Sequence, residues 1–266
     1  MPPQIAPILD HFGPFLMCLF RLSGVFVFAP VLGSPAIPMR VRSLLCLVFA
    51  FALYPTIPPE SQTPIDLNLA TLAWGVVSET LIGVTIGLLA ALPMYAVQLG
   101  GLIIGHQIGV GLASVYNPAL DLEGDVVGQF LLYLALAVFI GVGGLEIMFQ
   151  ALAVTFVHIP LGGLHAPNAP LELLVGLVAS GTAVGLRVAA PVLCIVLAET
   201  IATGFIMKTM PQLNIMTIGF AVKIIIAMIA LIGSVQAVEM LAREDILTTL
   251  QTILEWAGTS PSLGGN

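Results

Sequence analysis

The chain has 266 residues, 59% of them hydrophobic and only 8% charged, with a mean hydropathy of +1.11; a water-soluble domain of this length does not carry that much apolar surface. The net charge of -7 reflects a scarcity of bases, 7 Lys and Arg against 14 Asp and Glu, so no basic patch exists for nucleic acid to bind. Cys18, Cys46 and Cys194 all lie in apolar runs without metal-type spacing and read as small core residues, not as a disulfide frame.

These bounds predict an all-α, integral membrane protein or a subunit buried in a larger apolar assembly. The first basic residue, Arg21, already sits inside an apolar run, so the charged leader of a cleavable signal peptide is missing and the first segment is expected to stay. A helix needs roughly 20 apolar residues to cross a bilayer, and six regions are expected to serve. The first is about Phe12 to Leu32, with Arg21 in its middle and Pro30 bending or stopping it. Ser34, Pro35, Pro38, Arg40 and Arg42 lead into a short second helix, about Val41 to Leu53, closed by Pro55, Pro58 and Pro59. A polar loop with Glu60, Asp66 and Asn68 follows, at a water interface. The third run, about Leu69 to Ile104, exceeds one simple span and contains Pro93, which predicts a kink, a tilt or a hairpin.

The stretch Gln98 to Asn117 then breaks the apolar pattern with Gly100, Gly101, Gly105, Gly109 and Gly111. On a continuous helix Gly101, Gly105 and Gly109 would form one bare face for close helix approach. The alternative starts from His106, Gln107 and Asn117 and from the helix cost of glycine, about 0.8–1 kcal/mol each against alanine. On that reading the segment bends rather than staying helical, and irregular backbone at membrane depth is tolerated where protein buries it or where it lines a water-filled path. It is the first candidate for a gate.

After Asn117-Pro118 and the acidic cluster Asp121, Glu123 and Asp125, a fourth helix is expected from about Val126 to Phe156. A loop runs from His158 through Gly162, Gly163 and His165 to Pro170. The fifth run, about Leu171 to Met207, is again overlong and holds Pro191; Lys208, Pro211 and Asn214 turn the chain into a sixth, about Ile215 to Leu241. From Arg243 to Trp256 charged and apolar residues alternate at helical spacing, with Ile246, Leu250, Ile253 and Leu254 on one side, predicting an amphipathic end helix at an interface. One helical domain over residues 1–257 is expected, with a flexible tail over 258–266.

Ionisable residues inside apolar runs cost roughly 2.5–3.5 kcal/mol each at a helix centre. Glu79 lies in a seam of small residues, Gly75, Gly83, Gly87 and Ala91 at four-residue spacing, and so faces another helix rather than lipid. Lys223 lies in a similar seam with Gly219, Ala227, Ala230 and Ser234. Arg21, Arg187 and Glu199 are the other deep charges. They read as packing or intersubunit pairs, with an ion relay as the functional alternative; which acid meets which base is open at this stage. Neither a zinc motif, a nucleophile elbow nor a phosphate loop is present, and neither enzymatic activity nor a cofactor is expected.

The run from Gly101 to Ala119, GLIIGHQIGVGLASVYNPA, followed by Val126-Val-Gly-Gln-Phe130, resembles the signature region of the FliR family of flagellar export-gate subunits, related to SctT of virulence secretion systems. Arg21, Ala29-Pro30 and Ile37 to Arg42 are similar to that family's opening, and RVAAP from Arg187 and MPQLNIMTIG from Met210 to its C-terminal half. Gly143 to Glu146 and Lys208 depart from its pattern. Asn117-Pro118-Ala119 favours the flagellar branch.

The resemblance implies a non-enzymatic subunit in the bacterial inner membrane at the flagellar basal body. It implies long bent helices arranged as hairpins, assembled with FliP-like and FliQ-like subunits and served by FlhA-like and FlhB-like proteins, to form a channel for unfolded flagellar proteins. It also implies a pore plug, comprising Gly105, His106, Gln107, Gly109, Gly111, Leu112, Val115, Tyr116 and Asn117. A secondary transporter for a small solute is the alternative, because broken helices with buried charges also mark that class.

Overall fold

A computed structural model of the chain describes residues 6–59, 69–109, 126–162, 171–209 and 215–259. Every long element among them is an α-helix: α1 Ala6–Phe28, α2 Met39–Leu53, α3 Leu69–Ile108, α4 Val126–Gly141, α5 Gly144–His158, α6 Leu171–Thr209 and α7 Ile215–Thr259. Five of these helices are long and apolar enough to cross a membrane, or up to six spans if α4 and α5 together make one.

Composition dictated the helices, and local chemistry sets their ends. The first helix stops at Phe28, two residues before Pro30, and the chain turns through Val31 at φ 68°, a left-handed conformation costly for a β-branched residue. The turn closes through Gly33 N–H to Ala29 O at 2.7 Å. The third run forms a single helix of 40 residues with Pro93 inside it, not a hairpin. Its first glycines do not break it: Gln98 to Ile108 is helical, because the bare faces of Gly100 and Gly101 are filled by neighbouring backbone, which offsets the helix cost of glycine. Pro191 is likewise inside the 39-residue α6.

Two boundaries differ from the sequence pattern. The run Val126 to Phe156 is two helices, because Gly143 adopts φ 74°, which glycine takes at little cost. The expected end helix is continuous with the sixth run in the 45-residue α7. Its apolar stripe, Ile246, Leu250 and Ile253, is buried in the protein itself instead of lying on a membrane surface.

The chain divides into two compact units: one formed by residues 1–92, 143–177 and 247–266, the other by 93–142 and 178–246. In the first, α1 and the opening half of α3 pack in parallel, since Met17 meets Gly75, Arg21 meets Gly83 and Val25 meets Gly87 in rising order. A side chain on Gly83 would overlap the carbonyl oxygen of Arg21, and one on Gly24 the carbonyl oxygen of Thr80. Phe26, Phe49 and Phe149 fill the space beside this seam, the last two stacked at 4.9 Å. In the second unit the closing half of α3 packs against both α4 and α6. A Cβ on Gly101 would stand 2.6 Å from the Cα of Gly128, and one on Gly100 2.7 Å from Gly185 O.

Candidate functional site

The close approach of α1 and α3 creates a buried polar site. Arg21 and Glu79 are both fully buried, and the Arg21 Nε–H donates to Glu79 Oε2 while Nη2 donates to Oε1 at 3.1 Å. The guanidinium has five N–H groups. Its other bonds run to Thr155 Oγ1 at 3.1 Å and to the carbonyl of Ile159 at 3.2 Å, and the ring of Phe156 lies 4.4 Å from Cζ. Glu79 Oε1 also accepts the backbone N–H of Gly162 at 2.6 Å, and the Thr155 hydroxyl donates to Leu152 O. A buried ion pair offsets its desolvation only when further donors and acceptors are also met, and here α5 with the turn after it accepts two more guanidinium N–H groups and donates one backbone N–H to the carboxylate.

The small-residue seam around Glu79 thus predicted the right face, and the acid's partner is Arg21. Thr155, Ile159 and Gly162 were missed. The sequence read 158–170 only as a loop, and nothing in its pattern marks a carbonyl or an amide as a ligand of a distant side chain. In the structure Gly162 takes φ 78° and donates its N–H to Glu79.

The other deep charges are placed differently. Glu199 is buried and answered by hydroxyls of its own helix, Thr203 Oγ1 at 2.6 Å and Thr200 Oγ1 at 3.4 Å, with no base beside it among the described residues. Lys223 is half-buried above Ala227 and Ser234, which are buried as the second seam predicted. Arg187 lies on an exposed part of α6 beside Leu186. It is therefore not buried within the chain, because the apolar face that carries it is not covered by this chain. Neither Arg187 nor Lys223 makes an ion pair among the described residues.

Of the segment read as a gate, Gly105, His106 and Gln107 form the last turn of α3, with His106 and Gln107 exposed. Gly109 ends the helix at φ 87°, its N–H shared between Gly105 O and His106 O at 3.1 Å each. Gly111, Leu112, Val115, Tyr116 and Asn117 lie outside the described residues. Gly105 packs only loosely on α4, since a methyl group there would stand 3.8 Å from the Val127 side chain.

Residues 12–248 match the family of bacterial export proteins, family 1. The chain is 27% identical over 250 residues to the flagellar biosynthetic protein FliR of Bacillus subtilis, covering 92% of this chain and 95% of that one. It is 31% identical to the FliR protein of Escherichia coli, covering 79% and 78%, and 24% identical to the Yop proteins translocation protein T of Yersinia pestis, covering 82% and 84%. With its long apolar helices in place and the family match spanning most of its length, the chain belongs to the FliR family of bacterial export proteins.

Proposed function

We propose that the protein is a non-enzymatic core subunit of the flagellar protein export gate. It joins FliP-like and FliQ-like subunits in the inner membrane at the basal body and, with FlhA-like and FlhB-like proteins, passes unfolded flagellar proteins. The observation that carries this reading, beside the family, is the bareness of α6 and α7: only 22% of each candidate span is buried within the chain. Arg187, a charge too costly to leave in lipid, sits on one of those bare helices without an ion-pair partner among the described residues. Such faces suit neighbouring subunits that bring the missing counter-groups.

In this reading the segment from Gly105 to Asn117 closes the channel, with α3 as a stem ending at Gly109 and the residues beyond it as the displaceable plug. Small side chains leave at low energetic cost, while Leu112, Val115 and Tyr116 seal against ions. Native mass spectrometry of the tagged chain, co-expressed with the other export-gate subunits and purified in mild detergent, tests the assembly. One copy bound to several copies of two other small membrane proteins is expected. A lone monomer or homodimer overturns it and favours a small-solute transporter.

A further inference from the structure

Between α1 and α2 lies a groove of about 520 Å³, which falls within the roughly 300–1,000 Å³ of small-ligand clefts. Leu19 and Phe26 on one side and Leu44 and Leu47 on the other make it apolar, while Arg40 and Arg42 line the end at the first turn of α2. From Arg40 to Leu47 the helix rises about 10 Å, so a cationic end grades into an apolar channel along the span. Arg42 spends one donor on Ser34 O at 2.7 Å, but its buried Nε has no acceptor. The helix also begins at Pro38 with no side-chain cap, which adds the positive end of its dipole to the two arginines. Two of the chain's 7 basic residues thus converge on one groove.

We infer that this groove binds an anionic phospholipid, its phosphate on Arg40 and Arg42 and an acyl chain along Leu19, Phe26, Leu44 and Leu47. Charge complementarity selects the headgroup. The surroundings select a lipid over a soluble anion: α2 is a candidate span only 11% buried, and its outward residues Val41, Val48 and Phe51 are apolar and exposed. Basic pockets between membrane helices on the cytoplasmic side hold anionic headgroups, and the positive-inside rule puts Arg40 and Arg42 on that side. The site does not depend on the plug or on the identity of neighbouring subunits.

The test is native mass spectrometry of the full chain in mild detergent, with dioleoylphosphatidylglycerol or dioleoylphosphatidylcholine added at equal ratio. The glycerol lipid is expected to remain bound and the choline lipid to be lost. The double variant Arg40→Ala, Arg42→Ala should bind the glycerol lipid about 30-fold more weakly, as expected for two cation contacts with an anionic headgroup. Leu44→Trp, which fills the groove and keeps both arginines, should also lose it and decides the matter if the double variant does not fold. Lys208→Ala should bind as the parent does. Equal retention of both lipids, undiminished binding by the folded arginine or tryptophan variant, or a protein subunit crosslinked through Leu44→Cys in place of lipid would overturn the inference.

Discussion

Arg21 and Glu79 meet within the stretch of α1 and α3 where the two backbones touch, since Gly83, four residues beyond the acid, lies against the carbonyl of Arg21 itself. The pair and the close approach are therefore a single device: the glycine brings the helices near enough for both ends of the ion pair to be fully withdrawn from solvent and lipid.

Removing one partner leaves the other charged and buried, so Glu79→Leu should destabilise the chain by about 3–5 kcal/mol. The loss should show as a lower yield of folded complex and faster proteolysis in detergent, while whatever complex survives conducts normally. Normal yield with altered conductance would count against a packing role and for an ion relay.

Gly83→Ala should behave similarly for a different reason. Its methyl would press on backbone that has no rotamer to yield, and overpacking of this kind costs about 1–3 kcal/mol or more. Gly141→Ala, where nothing stands within 4 Å, serves as the matched control: at a helix end it should be neutral or slightly stabilising. Thermal melts of the two variants in the same detergent compare them directly.

Val31→Gly should raise stability by roughly 1 kcal/mol, because it relieves a β-branched residue held at positive φ. Gly143→Val should lower it by at least as much, since it imposes that strain on the break between α4 and α5. Opposite shifts in melting temperature are expected, and shifts of the same sign would show that the turns are remodelled.

Arg187→Leu separates the chain from its assembly. The residue is exposed and makes no ion pair among the described residues, so the isolated subunit should melt as the parent does. Recovery of partner subunits in a pull-down should fall severalfold, and unchanged recovery would place Arg187 against water.

Deletion of Gly109 to Ala113 should leave the complex assembled and make the membrane leak ions, measured as conductance of reconstituted vesicles. A tight deletion variant would remove the plug from the segment.

Much of this was legible from residue spacing. The seam around Glu79 gave the correct face, because four-residue spacing on a helix places residues one above another whatever lies opposite. Glycine was harder to read. The spacing of Gly101, Gly105 and Gly109 left a packing face and a bend both open; Gly100 and Gly101 are where α3 meets α6 and α4, and the benefit of that approach depends on residues some 30 to 85 positions away in sequence. Gly143 lay inside a run read as one helix, marked only as a departure from the family's pattern, and proved to be the break. Local propensity is the same at both sites, and only the presence or absence of an opposing backbone distinguishes them. Arg187 illustrates a third limit: it is exposed on this chain, and one chain's sequence does not contain the surface that a partner would bring.

The bonds of Arg21 to Thr155 and Ile159 join residues 134 and 138 positions apart. A ribosome finishes α1 and α3 long before it makes these acceptors. Until residue 162 has emerged, the newly inserted helices hold a cation and an anion whose remaining donors and acceptors have nothing of their own chain to meet. The order of synthesis therefore delays completion of this site until the turn after α5 has been made, and a chain truncated before Ile159 carries an unfinished charge pair.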